Sequence, residues 1–314
     1  MLKALRFVRG AVAKKDYLPV LTHFSIKDGR ITSYNGNIAL SAPLNLALNT
    51  RPNAMQMYRA IAACHGQTVI TQLPNNSLTI KSGTFKGTID CTSDEFPEID
   101  IRGTAVTLPF KLVPTFHRLS PYISEDASRQ WSRGILLRGK SAIVTNNVVL
   151  IEHWLGMETP VELIIPKEAV DEIVRIGEEP LAIAVSPHSL TFWYSEDRWL
   201  YVRAIDESFP NTDRYFQGSP SYGPFPETLF PSLATIRPFL EKEGSVHLSP
   251  SLLSILPPDR EGTQIEVPGL EVTAKFSWEH LASLEAVATA IDWSSKPCQF
   301  VGDKLRGVII AMRQ

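Results

Sequence analysis

The residues best placed to do chemistry in this chain are carboxylates gathered around two Phe-Pro dipeptides. The first cluster reads Asp90-Cys91-Thr92-Ser93-Asp94-Glu95-Phe96-Pro97-Glu98-Ile99-Asp100, and the second Asp206-Glu207-Ser208-Phe209-Pro210-Asn211-Thr212-Asp213. Paired acids of this kind could hold Mg²⁺, a hard cation that prefers oxygen ligands. Each cluster, however, ends an alternating, strand-like run beside a proline, which fits an exit turn better than a metal site. There is no Walker loop and no GxGxxG, GxSxG or HExxH motif. The seven histidines stand far apart, none with a ligand partner at helical or hairpin spacing. Glu152-His153 is an adjacent acid–histidine pair, but strand neighbours point to opposite faces. The three cysteines, Cys64, Cys91 and Cys298, are scattered, as expected of reduced, buried thiols in a cytoplasmic protein. The expectation is a protein that works without catalysis, cofactor or metal.

The repeated phrase says more about architecture. Each copy is followed by an amphipathic, helix-like segment, from Leu108 and from Pro226. A repeat at domain-sized spacing implies one structural unit used again. Dividing the chain after each copy gives residues 1–103, 104–217 and a shorter 218–314. At 314 residues and 44% hydrophobic content the chain can bury ordinary cores. No apolar run approaches a membrane span, and the N-terminus lacks a signal-peptide pattern.

Hydrophobic period and turn chemistry predict an α+β order in each third. In the first, helix Leu2–Lys15 precedes strands Thr22–Lys27, Arg30–Tyr34 and Ile38–Leu48. Helix Asn53–Cys64 then leads to strands Thr68–Gln72, Ser77–Lys81 and Thr84–Cys91. Asp28-Gly29 and Asn35-Gly36 are hairpin signals, because those residues accept positive φ cheaply. The second third repeats the order. Helix Phe110–Ile123 is followed by strands Gly134–Leu137, Ser141–Thr145, Val149–Trp154 and Val161–Ile165. Helix Pro166–Ile176 is followed by strands Leu181–Val185, Ser189–Tyr194 and Trp199–Ile205. The last third gives helix Glu227–Glu241, strands Val246–Leu248 and Thr263–Val267, helix Trp278–Ala290 and strand Gly307–Met312. Pro231 and Pro238 interrupt the first of these helices.

The first helix carries one sign of charge. At about 100° per residue Leu5, Val8, Ala11 and Val12 share a face. Lys3, Arg6, Arg9 and Lys14 occupy the remaining arc, and no acid appears before Asp16. Solvated helices usually mix signs. A net charge of −2 argues against a nucleic-acid partner only if charge is spread evenly.

The sequence resembles the bacterial-type β sliding clamp of DNA polymerase III over most of its length. Leu2-Lys3-Ala4-Leu5 through Tyr17-Leu18-Pro19-Val20-Leu21 is similar to the family's first helix and its Leu-Pro-Ile-Leu. Asp94-Glu95-Phe96-Pro97 resembles the phrase that ends clamp domain 1. The run from Asp206 to Tyr215 resembles the Gly-Arg-Phe-Pro-Asp-Tyr-Arg-Arg stretch that ends domain 2. Val308-Ile309-Ile310-Ala311-Met312-Arg313-Gln314 resembles the closing Val-Met-Pro-Met-Arg-Leu. Departures accompany these matches. Thr145-Asn146-Asn147-Val148-Val149-Leu150 stands where the family has Thr-Asp-Gly-His-Arg-Leu, so its polar His-Arg pair is Val-Val here. Gln314 replaces the terminal leucine and Ala311 a proline, and the third unit is trimmed. Such divergence would suit a phage-encoded clamp.

The resemblance implies an α+β fold of three repeated helix/antiparallel-sheet units, with two subunits forming a ring around double-stranded DNA. It implies a homodimer that binds DNA without regard to sequence and receives polymerase and clamp-loader peptides, with no membrane association. Lys3, Arg6, Arg9, Lys14, Lys15, Arg59, Lys111, Arg118 and Arg237 would line the channel, and Trp131 would stack on template. Thr145, Leu150, Pro210, Arg214, Tyr215, Val308, Ile310, Met312 and Arg313 would form a partner-peptide pocket between the second and third units. The trimmed third unit and altered pocket raise an alternative: a clamp-like monomeric interaction module or decoy that does not encircle DNA.

Overall fold

The computed structural model describes all residues except 16–17, 242–243, 258–259, 261 and 314. The expectations that used Asp16, Tyr17 and Gln314 lie outside the described residues. The fold is α+β, with short helices set against antiparallel sheets. Contacts divide the chain into two compact units, Met1–Phe116 with Ile165–Asp206, and His117–Ile164 with Glu207–Gln314.

The first unit holds a seven-stranded sheet and a three-stranded sheet. In spatial order the larger runs Ser25–Lys27, Arg30–Tyr34, Ile38–Pro43, Arg198–Arg203, Ser189–Ser195, Ala182–Val185 and Ala105–Thr107. Its central joint is long-range, with Trp199 opposite Ser41 and Val202 opposite Ile38. The smaller sheet is Val69–Leu73, Ser77–Ser82 and Phe85–Asp90. Asp28 and Gly29 take positive φ (51° and 71°) at the first hairpin, as the Asp-Gly signal predicts.

The second unit repeats the plan with an eight-stranded and a four-stranded sheet. The larger is ordered Leu163–Pro166, Gly134–Arg138, Ser141–Thr145, Val149–Trp154, Leu305–Ile309, Cys298–Gly302, Ala290–Asp292 and Gly223–Pro224. The smaller is Gln264–Glu266, Leu252–Ser254, Ser245–Ser249 and Ala274–Ser277. Its alternating buried Val246 and Leu248 against polar Ser245, His247 and Ser249 is the period-two pattern of a half-covered sheet.

The helices are α1 (Leu2–Val8), α2 (Ala54–Ala62), α3 (Val113–Leu119), α4 (Lys167–Ile176), α5 (Leu229–Ile236) and α6 (Trp278–Ser283). Most are shorter than their period predicts. α1 passes at Arg9 into a 3₁₀ turn through Ala11 and then extends at Val12, so Lys14 and Lys15 lie beyond the helix. α3 begins at Val113, where the Glu179 carboxylate accepts the free backbone N–H groups of Leu112 and Val113 at 2.8 and 3.2 Å. α5 ends at Ile236, two residues before Pro238. α6 gives way to a 3₁₀ turn at Leu284, and Ala290–Asp292 is a strand paired with Cys298–Gly302 rather than helix. The strand expected over Ile38–Leu48 stops at Pro43, and the last strand is Leu305–Ile309 rather than Gly307–Met312. Short strands at Ala105–Thr107, Gly223–Pro224, Leu252–Ser254, Ala274–Ser277 and Cys298–Gly302 were not expected; sheet neighbours, not local pattern, create them.

Within the first unit, α1 is fastened to α4 by an ion pair between a buried glutamate and an arginine that reaches the surface. Glu172 is only 6% exposed, and Arg175 Nε reaches both of its oxygens at 2.8 Å. The same guanidinium donates to the last carbonyls of α1, Arg6 O at 3.0 Å and Phe7 O at 2.7 Å. Those carbonyls have no partner inside the helix, and a cation there also opposes the helix dipole. A Cβ at Gly10 would overlap the Glu172 carboxylate, so any larger residue there would have to displace the ion pair. Leu5, Phe7, Val8 and Ala11 are buried beneath the lock, with Phe7 edge-on to Tyr194 at 5.4 Å. Arg175→Ala should lower stability by about 3 kcal/mol in urea unfolding, because it strands a buried carboxylate. The double variant Glu172→Gln/Arg175→Ala should recover part of that loss, and a smaller loss than in the single variant is the result to look for.

Candidate partner groove and nucleic-acid interface

The expected pocket residues converge in the second unit because strand register aligns them. Leu150 pairs with Thr145 on one side and Val308 on the other, so the three form a row across the eight-stranded sheet. Side chains directly opposite on an antiparallel sheet share a face. The neighbouring Gly307 makes room for the Phe300 ring, which a Cβ at that position would strike. Thr145, Leu150 and Val308 are all buried, at 7%, 5% and 2% exposure.

The turn above this row is held by its own polar groups. Thr145 Oγ1 donates to Val149 O (2.8 Å) and accepts from Asn147 N (3.0 Å). Asn146 Oδ1 accepts from Val148 N and Val149 N at 3.1 and 2.7 Å. Asn147 takes φ 71°, the left-handed conformation asparagine tolerates. Beyond Ile309 the chain leaves the sheet, with Ile310 N on Val148 O (3.0 Å) and Met312 N on Lys275 O (2.7 Å).

The second Phe-Pro phrase supplies the facing wall. A 3₁₀ turn covers Asp213–Phe216, tied to the sheet by Arg138, which lies 3.5 Å from Thr212 Oγ1 and 3.6 Å from Asp213. Arg214 stacks on Tyr215 at 4.8 Å and donates to its hydroxyl at 2.8 Å. The result is a groove of about 330 Å³ with Leu150, Val149, Val308 and Ile310 among its apolar lining and Pro210, Arg214 and Tyr215 at its edge. Met312 lines a second, adjoining cavity of about 510 Å³ that shares Tyr215 and Ile310. Arg313 is exposed and lines neither.

Trp131 belongs to this groove. Its backbone N–H donates to Glu207 at 3.0 Å, and its ring meets Phe209 edge-on at 5.2 Å. The loop before it brings in Arg129, which donates to Asn147 Oδ1 at 2.9 Å. Arg129, Val148, Val149, Asn211 and Thr212 are groove residues that sequence reasoning did not pick out. Val148 and Val149 were noted only as a departure, and no local signal marks Arg129.

The first Phe-Pro phrase also lines a cavity, of about 690 Å³, with Lys27, Arg30 and Arg51 alongside Asp28, Glu95 and Glu98. Asp90 ends a strand and Asp213 begins a 3₁₀ turn, the other acids of both phrases lie outside helices and strands, and no group of three His, Cys, Asp or Glu among the described residues could hold a metal. Glu152 is paired with Arg306 at 2.7 Å, while His153 is buried and its imidazole is held below its usual pKa, chiefly by burial.

The basic residues vary in how free they are. Lys3 and Arg6 are exposed on α1, as are Arg9 in the 3₁₀ turn that follows, Lys14 and Lys15 after it, Arg59 on α2 and Lys111 ahead of α3. Arg9 lies over the Tyr58 ring at 5.0 Å, next to Arg59, where α1 meets α2. Arg118 is committed to the protein, donating to Asp303 O at 2.9 Å with the Asp303 carboxylate 3.7 Å away. Arg237 is exposed but stacked on Trp278 at 4.3 Å. No helix among the described residues is long and apolar enough to cross a membrane.

In sequence comparison no protein-family model matches the chain, and no curated protein matches it significantly. Solved structures do match. The β subunit of DNA polymerase from Streptococcus pyogenes superposes with a TM-score of 0.82 at 17% identity, covering 100% of this chain and 97% of its own. The DNA polymerase sliding clamp of Bacillus subtilis gives 0.81 at 13% identity, with the same coverage. The β clamp of Helicobacter pylori, solved bound to a DNA ligase peptide, gives 0.75 at 17% identity over 99% of this chain and 97% of its own. The chain therefore has the fold of the bacterial DNA polymerase III β sliding clamp along its whole length.

Proposed function

We propose that this chain is a DNA sliding clamp, a non-catalytic processivity factor whose two copies close head to tail around duplex DNA and tether a replicative polymerase. The whole-length likeness in fold to solved sliding clamps carries this reading. On it, residues 1–103, 104–217 and 218–314 are three clamp domains per subunit, at work in the cytoplasm. Lys3, Arg6, Arg9, Lys14, Lys15, Arg59 and Lys111 supply phosphate contacts that ignore sequence and weaken as salt rises. Arg118 and Arg237 add less, since Asp303 and Trp278 already engage them. Trp131 is assigned to the partner groove, which receives peptides of the polymerase and the clamp loader.

The sheet inventory supports ring closure. Each unit contains one long sheet, of seven or eight strands, and one short sheet, of three or four. Edge-to-edge joining of the short sheets from two copies would make another sheet of the long kind and cover edges otherwise open to pairing. In the four-stranded sheet the Ala274–Ser277 edge is bridged to Met312, which leaves Gln264–Glu266 for a partner. Beside that strand Ile255 N bonds Thr263 O (3.1 Å), and Leu256 and Phe239 line one cavity while staying 36% and 61% exposed. Apolar exposure next to an open edge suits a subunit interface.

Mass in solution combined with retention on nicked circular DNA tests the proposal. The expected result is a dimer held on circles and released when they are linearised. A strict monomer without topological retention would overturn it in favour of a clamp-like interaction module. Reversing Lys3, Arg6 and Arg9 to Glu should abolish retention with an unchanged unfolding midpoint, whereas persistent sliding would mean that α1 faces elsewhere. Phe239→Asp should shift the mass toward monomer and end retention. Leu150→Ala with Met312→Ala should weaken a polymerase tail peptide about tenfold, and unaltered affinity would move the partner site off this groove.

A further inference from the structure

We propose that the groove selects peptides in which one large apolar side chain is flanked by carboxylates, with Arg129 and Arg214 reading the acids. The inference rests on the groove being the partner site and names the class of peptide it takes. Its volume of about 330 Å³ is at the small end for ligand sites. With Leu150, Val308 and Ile310 lining it, it suits a single anchor such as Leu or Phe rather than a polar residue.

The neutral side-chain acceptor oxygens around that anchor are already engaged by protein donors. Thr145 Oγ1 and Asn146 Oδ1 close the turn. Asn147 accepts from Arg129 and donates to Ser124 Oγ at 3.1 Å. Thr212 Oγ1 takes the Arg138 guanidinium and Asn211 Oδ1 the Asp213 N–H. The N–H groups of a side-chain amide on the ligand would find few free side-chain acceptors.

The guanidiniums are different. Arg129 and Arg214 are both exposed, and each donates to a neutral neighbour, Asn147 or Tyr215; Arg129 has only a long, solvent-exposed ion pair, with Asp126 at 3.9 Å. A guanidinium offers five N–H donors in a fork that matches a carboxylate. The acids of the same segments are occupied or distant. Glu207 binds the Trp131 N–H, Asp213 pairs with Arg138, and Asp126 reaches Arg129 only at 3.9 Å across a half-exposed contact. No carboxylate lines the groove among the described residues. An apolar floor under two exposed guanidiniums, with no carboxylate in the lining, therefore favours an acidic peptide over a neutral or basic one.

The test is fluorescence anisotropy on the full chain with three synthetic fluorescein-labelled peptides that share a single Leu anchor and differ in their flanks, Asp, Asn or Lys. The Asp peptide should bind about tenfold more tightly than the Asn peptide and the Lys peptide more weakly than either, with the gap narrowing as salt rises. Arg129→Gln/Arg214→Gln should make the Asp and Asn peptides bind that variant with equal affinity. Arg129→Lys/Arg214→Lys should restore part of the preference. Equal binding of the Asp and Asn peptides would overturn the selection by charge while leaving the groove as the partner site. Failure of all three to bind would overturn both.

Discussion

The antiparallel pairing of Val149–Trp154 with Leu305–Ile309 organises the second unit. Five successive residue pairs, from Val149 with Ile309 to His153 with Leu305, join strands from opposite ends of the unit's sequence. A slip of one residue would turn Leu150 and Val308 to the other face, so the buried row fixes the register. The groove follows from this pairing: its floor is the row itself, and Ile310 is placed by its bond to the turn that begins the partner strand. Arg198–Arg203 against Ile38–Pro43 does the same work in the first unit. These long-range pairings produce sheets of seven and eight strands from hairpins that could not be stable alone.

Charge is handled by separating what is buried from what is displayed. Glu172 and Arg175 consume one another while fastening α4 to α1, and Arg175 also satisfies carbonyls at the end of the displayed helix. Lys3 and Arg6 remain exposed on that helix, and Arg9 in the turn that follows, without an acid in its sequence. A net charge of −2 therefore says little about what α1 can bind.

Local chemistry was legible in the sequence and long-range pairing was not. Arg30–Tyr34, Ser141–Thr145 and Val149–Trp154 have the boundaries that alternation and turn residues predict. Asp28-Gly29 fixes its hairpin without help from elsewhere. Ala105–Thr107 has no buried residue and exists only through Ala182–Val185, so nothing in its own composition marks it. Helix ends were overrun where a distant group intervened: Glu179 at the start of α3, Arg175 at the end of α1. Thr145, Leu150 and Val308 were named through the family resemblance, and sheet register brings the three together. Arg129 was not, because a loop latched by the Trp131–Glu207 bond delivers it.

The two Phe-Pro phrases show how one turn acquires different uses. Both leave a strand and both wall a cavity. Around Phe96-Pro97 the cavity mixes Lys27, Arg30 and Arg51 with Asp28, Glu95 and Glu98, a field of both signs that favours no single charge. Around Phe209-Pro210 the acids turn away, Glu207 toward the Trp131 backbone and Asp213 toward Arg138, and two guanidiniums remain over an apolar row. The phrase sets only where the chain turns. Which of its carboxylates are consumed by neighbours decides whether the adjoining surface carries a sign, and a surface with a sign can choose among partners.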